Sequence, residues 1–179
     1  VHVVYEVDQS AYPPEAEPIP VDLPADAGAD DAGADNVSAK GKTIDVLVVY
    51  TDAAQTAAGG STAMTTLINL AISETNTSYA NSGITQRVRL VHKAIVTYSE
   101  TGFDWGTTLD RLTGTSDGYM DNVHTLRNTY KADEVVLLVA NGSYCGLAWL
   151  MTTVSTAFKT KAFALVNWDC ATGYFSFGH

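Results

Sequence analysis

The sequence predicts an α/β sandwich built on a largely parallel sheet. Continuous apolar, β-branched runs recur along the chain, and between them lie stretches with apolar residues at helical spacing. Continuous rather than alternating apolar character marks strands buried on both faces, as in parallel sheets. The resulting order, β-α-β-α-β, is that of layered α/β folds. A content of 46% hydrophobic against 17% charged residues supports a core, and 179 residues suffice for one domain.

The elements follow in order. Residues 44–50 (Ile-Asp-Val-Leu-Val-Val-Tyr) are the first buried strand. Met64, Leu67, Ile68, Ala71 and Ile72 then repeat at i, i+3, i+4, i+7 and i+8, and Tyr79 extends the stripe. Ser61 or Thr62 is expected to cap this helix, over about 61–81, and Gly83 to stop it. Residues 86–98 read as a strand with Val88, Leu90 and His92 on one face. A short helix is expected at 107–112 and an amphipathic one at 119–130, followed by a doubly buried strand at 133–140. Residues 144–151 read as a short strand and 162–168 as another. From Tyr174 a helix is expected, capped by Thr172, with His179 in its second turn. Strand, turn and helix in that order place a metal ligand on rigid scaffold.

The first forty residues differ. They carry nine acids against one base, a net of −8, whereas 41–179 carry eleven acids and nine bases, a net of −2. All five prolines lie here too. Residues 25–35 are an Ala/Asp/Gly repeat without the large apolar side chains that offset the entropy of ordering, so 22–43 read as a flexible acidic linker. Val3, Val4, Tyr5 and Val7 suggest one short strand in the tail of an upstream segment, 1–21, and His2 is expected in solvent. The chain begins at Val1 without a signal peptide, which reads as a truncated or processed start. The overall net charge of −10 argues against nucleic acid or an anionic membrane surface as partner. No run of about 18 apolar residues, the length a spanning helix needs, occurs.

Three segments carry a resemblance: 44–51 (Ile-Asp-Val-Leu-Val-Val-Tyr-Thr), 145–149 (Cys-Gly-Leu-Ala-Trp), and 167–171 (Asn-Trp-Asp-Cys-Ala) running into Phe177-Gly178-His179. With them the chain resembles the metzincin zinc proteases of the reprolysin-like group, and most closely the bacterial peptidyl-Asp metalloendopeptidases. The resemblance spans about 43–179 and implies the metzincin N-terminal subdomain: a twisted, mostly parallel sheet in a three-layer-like sandwich, with long amphipathic helices and an antiparallel edge strand. Residues 44–179 are then an incomplete catalytic domain, in which His179 opens H-E-x-x-H-x-x-G-x-x-H. In that motif histidines four apart share a zinc ion, and the glutamate takes a proton from zinc-bound water as it attacks a peptide carbonyl. This chain holds the first ligand alone, so an endopeptidase is implied for the parent protein and inactivity for residues 1–179.

The resemblance implies further roles. Gly146, Leu147, Ala148 and Trp149 become an edge strand along which peptide substrate adds by β-augmentation; otherwise Leu147 and Trp149 are simply core. Cys145 and Cys170, the only cysteines, pair in a secreted or periplasmic protein, or else are two buried thiols. Cleavage beside aspartate needs a cation, for which Arg87, Arg89, Lys159 and Lys161 are open alternatives. Residues 1–21 become the end of a propeptide that blocks the site. No cysteine precedes residue 145, so an acid (Asp8, Glu15 or Glu17) is the available blocking group. His92 and His124 are expected to be structural or exposed.

Two other classes compete. A von Willebrand A-like adhesion module needs Asp-x-Ser-x-Ser after its first strand, and Thr51-Asp52-Ala53-Ala54-Gln55 lacks both serines. A protease-like domain kept only for binding would lack the Glu-x-x-His continuation beyond His179.

Overall fold

A computed structural model describes residues 6–24 and 43–179. Four strands run parallel through its centre, in the order β6(Phe163–Asn167), β4(Glu134–Val139), β2(Thr43–Thr51), β3(Arg87–Val96). β5(Gly146–Met151) lies antiparallel on the far side of β6, with Leu147 opposite Leu165. A strand from the N-terminal segment of residues 6–24 (the leader), β1(Ile19–Val21), then pairs in parallel with β5, Ile19 opposite Trp149. Sequence patterning does not reveal β1: it is three residues long and holds Pro20 at its centre. Proline is tolerated there because the strand stands at the sheet's edge.

The two faces of β2 and β4 feed two separate cores. Leu47, Val49, Val135, Leu137 and Val139 point to one side, where Trp105, Leu109 and Leu112 of α3(Trp105–Thr113) and Val123 of α4(Asn122–Tyr130) cover them. Val46, Val48, Tyr50, Val136 and Leu138 point to the other, under Ala54 of α1(Asp52–Ala57) and Met64, Ile68 and Ala71 of α2(Ser61–Asn81). Leu47, Leu137 and Leu165 are fully buried, each a gain of about 1.5–3 kcal/mol by removal from water. This double burial is the physical content of the apolar runs, and the result is the expected α/β sandwich.

α2 runs over the expected residues, but its N-cap is Gly60, with no side-chain cap from Ser61 or Thr62. Its end is as expected. Gly83 takes φ +72°, and Gly83 N–H and Ile84 N–H donate to the carbonyls of Ala80 and Tyr79, closing the last turn. The 119–130 helix begins only at Asn122, because the Asp121 carboxylate accepts from Asp117 and Gly118 N–H and holds a turn ahead of it. The face expected for β3 also changes midway. A register shift between Val46 and Leu47 leaves Val91 as an extra residue, so Leu90 packs on the α2 side while His92 stacks on Tyr130 of α4, ring centroids 3.8 Å apart.

The short strand expected at Val3, Val4, Tyr5 and Val7 falls outside the described residues except for Val7, which is in no strand. His2 and most of the acidic linker also lie outside them, and Thr43 opens β2.

Candidate functional site

The site is built where β5, the turn after β6 and the leader meet. β6 ends at Asn167, whose N–H donates to Cys145 O at 2.8 Å. A 3-10 turn at Trp168–Cys170 follows, and Cys170 forms the disulfide to Cys145, with the Cα atoms 5.4 Å apart. Both cysteines are fully buried. The start of β5 is thereby tied to the segment that leads to His179.

That segment, residues 171–179, is not the expected helix. Gly173 and Phe175 both take positive φ (+74° and +69°), and only a 3-10 turn, Ser176–Gly178, precedes His179. Thr172 caps nothing; its carbonyl accepts from Tyr174 N–H. The segment is instead held by one face of α2. Glu74 accepts from Gly173 N–H at 3.0 Å, and Tyr79 Oη donates to Gly178 O at 3.1 Å. Gly178 presses on buried Thr75 so closely that a Cβ there would lie 3.0 Å from Thr75 Cγ2 and Oγ1. The helical stripe of α2 announced Tyr79; nothing in the pattern singled out Glu74 or Thr75 for this role.

His179 ends 81% exposed at its side chain, with Nδ1 3.9 Å from Glu15 Oε1. Glu15 is half-buried, accepts from Ser176 Oγ at 2.5 Å, and sets Oε2 2.8 Å from where a Gly146 Cβ would stand. Of the three acids considered as blocking groups, Glu15 alone reaches His179. Asp8 instead accepts from its neighbour Ser10, which holds its carboxyl below the usual range, and Glu17 is exposed.

Gly146, Leu147, Ala148 and Trp149 line a cavity of about 430 Å³ with Glu15 and His179. Their side chains and backbone do different things. Leu147 is buried in the α3–α4 core, and Trp149 packs against it while donating Nε1–H to Thr113 Oγ1. The backbone edge of the strand carries the leader: Cys145 N–H donates to Pro14 O at 2.8 Å and Ala16 N–H to Gly146 O at 2.9 Å. Glu134 closes the same cavity, and burial pushes its carboxyl above the ordinary range, against the pull of Arg127 and with reinforcement from Asp133. Burial, then Glu134, likewise raises Tyr79.

Among the four cations weighed for an acidic substrate, Arg89 is paired with Asp45 through two 2.7 Å hydrogen bonds. Arg87 donates to the carbonyls of Ile84 and Gln86. The Lys159 carbonyl accepts from Arg127. Lys161 touches β5, its Nζ 4.1 Å from the Trp149 ring centroid. His124 and His92 are packed on rings, Phe163 and Tyr130.

A protein zinc site uses three or four donors. Among the described residues no group of three His, Cys, Asp or Glu side chains is placed to hold a metal, and beside His179 stands only the Glu15 carboxylate. One imidazole and one carboxylate do not complete such a site.

A largely parallel sheet with an antiparallel strand, stapled by a disulfide to the segment that ends at His179, makes this a mixed α/β domain. Residues 40–177 match metallo-peptidase family M12, and the chain belongs to that family. It is 46% identical over 189 residues to a peptidyl-Asp metalloendopeptidase of Stenotrophomonas maltophilia, and 44% identical over 184 residues to one of Xanthomonas campestris. Each alignment covers 99% of this chain and 42% of the relative, so the chain spans well under half the length of these proteins. A chain in a solved chaperone–substrate complex shares the fold, with a TM-score of 0.56 at 21% identity over 73% of this chain and 24% of that one.

Proposed function

We infer that this chain comprises a leader and an incomplete catalytic domain of a zinc-dependent endopeptidase that cuts peptides bearing aspartate. The observation that supports this reading is the exposed His179 set beside the outer edge of β5, an edge that already carries an extended segment of the chain, in a chain of the M12 family. In this reading His179 is one zinc ligand, with the remaining ligands and the general base contributed from outside residues 1–179. Zinc held by His179 and those further ligands would supply an activated water. The chain's own part is to hold an extended peptide by backbone hydrogen bonds along Gly146–Trp149. The names of the relatives suggest an acidic side chain beside the cut, and Lys161 on Trp149 is the cation nearest to that strand among those considered. The leader acts as propeptide, and the Cys145–Cys170 disulfide fits a secreted or periplasmic protein. No helix among the described residues is long and apolar enough to cross a membrane.

The protein expressed from its whole gene and freed of its leader is expected to cut aspartate-containing peptides and to stop when zinc is chelated. Residues 1–179 alone are expected to cut nothing. Absence of cleavage by the leader-free whole protein, or cleavage indifferent to chelation, overturns the reading.

A further inference from the structure

The connection between β4 and β5, residues 140–145, holds a carboxamide poised against its own backbone. Asn141 is the one asparagine in the sequence that is followed by glycine. Trp105 Nε1–H and Ser143 N–H both donate to Asn141 Oδ1, at 3.1 Å each. Both partners are donors, so the atom they share is the oxygen and the amide orientation is fixed. Two donors on one carbonyl oxygen leave Cγ electron-poor and match the charge that an attack on Cγ would create. Trp105 reaches the turn from α3, 36 residues away in sequence. It is 6% exposed and held edge-to-face against Phe103 and Tyr144, so its N–H is a positioned donor. The nucleophile stands next in the chain. Gly142 N–H and Asn141 Nδ2 donate to no acceptor among the described residues, and Gly142 and Ser143 are exposed to water. Asn76 shows the contrast: its amide is spent in both directions on Val88 N–H and O, and it lies inside α2.

We propose that Asn141–Gly142 is a self-modification site, where the folded protein converts Asn141 to aspartate and isoaspartate through a cyclic imide while Trp105 Nε1–H and Ser143 N–H stabilise the oxyanion on Oδ1. The Gly142 nitrogen attacks Asn141 Cγ, forms a C–N bond and gives its proton to water. The tetrahedral centre collapses as Nδ2 takes up a proton and leaves as ammonia. Water then adds to one of the two imide carbonyls and breaks its bond to the Gly142 nitrogen. Opening at the side-chain carbonyl gives aspartate. Opening at the main-chain carbonyl gives isoaspartate, whose backbone is longer by one methylene. In sum one water is consumed and one ammonia released, with nothing oxidised or reduced. Either product keeps the two N–H donors as partners for its new carboxylate. It also sets a negative charge next to Ala140, whose N–H the Glu100 carboxylate already accepts. The site is thus a clock that alters the end of β4 with the age of the molecule, and it does not rest on the peptidase reading.

The test ages the full chain at neutral pH, folded or in urea. Peptide mass spectrometry reads the gain of one mass unit at residue 141, and isoaspartyl methyltransferase labelling reads the isoaspartate. Folded wild type is expected to convert at 141 ahead of every other asparagine, and faster than the same chain in urea. Trp105→Phe keeps an aromatic ring and loses the Nε1–H, and when folded it is expected to convert on the order of tenfold more slowly. In urea, where Trp105 does not reach the turn, the two chains are expected to convert equally. Gly142→Ala adds a Cβ with nothing within 4 Å, so the fold is kept while the nitrogen is crowded, and a several-fold slowing is expected. No mass gain at 141 in the folded wild type overturns the site. Conversion no faster folded than in urea, or equal folded rates in wild type and Trp105→Phe, overturns the assistance by the fold. An unchanged rate in Gly142→Ala overturns the imide route.

Discussion

The hydroxyl of Thr51, the last residue of β2, donates to the Glu100 carboxylate 49 residues further on. Both Glu100 oxygens in turn accept from Ala140 N–H, at 3.0 Å each, just beyond the end of β4. Thr51 is fully buried, and the same Oγ1 accepts from Ala54 N–H to cap α1. One side chain thus closes the C-terminal ends of the two central strands and starts a helix.

Thr51→Ala removes the cap and leaves Glu100 short of a donor. The expected loss is about 1–3 kcal/mol, the range for a lost cap plus an underpaired, partly buried acceptor. Urea unfolding measures it. Thr51→Ser keeps the hydroxyl and is expected to recover most of the difference; equal losses in the two variants contradict the role given to Oγ1.

Gly178→Ala places a methyl 3.0 Å from Thr75, a contact that forces either α2 or the 176–179 turn to move. Overpacking of this kind costs about 1–3 kcal/mol. Adding Thr75→Ala clears both offending atoms, so the double variant is expected to be more stable than the Gly178→Ala single variant despite carrying one more substitution. Simple additivity of the two losses would show that Gly178 and Thr75 do not meet.

The Cys145–Cys170 disulfide closes a loop with a sequence separation of 25 residues. By the chain-entropy relation that is worth on the order of 3 kcal/mol. Paired Cys145→Ala and Cys170→Ala substitutions are expected to lower unfolding stability by about that amount. They are also expected to loosen the leader, because Cys145 N–H holds Pro14 O. Hydrogen exchange at the backbone amides of residues 145 and 16 reports the second effect separately from the first.

The central elements were legible because their signals are local. The β-branched run at 44–50 forms the first strand of the domain wherever the chain can bury both its faces, and the 3.6-residue stripe from Met64 to Ile72 specifies α2 with no reference to a partner. Gly83 stops that helix because its backbone tolerates positive φ, a property of the residue itself. The motif segments around 145–149 and 167–179 likewise carried the family. What patterning misread, tertiary contact decided. The residues at 174–179 do not form an α-helix, since Gly178 sits on Thr75 and Phe175 takes a left-handed turn to bring it there. His92 changes face because one extra residue, Val91, enters β3. β1 has no strand signature and exists because β5 offers it an edge.

By itself, then, the sequence determined the sandwich and its helical and strand periods. Only the tertiary structure chose Glu15 from three leader acids, and set it against Ser176, 161 residues away. Periodicity reports which face of an element is apolar. Which edge stays open, and which distant side chain comes to occupy it, depends on backbone hydrogen bonds and shape complementarity between segments that share no local pattern.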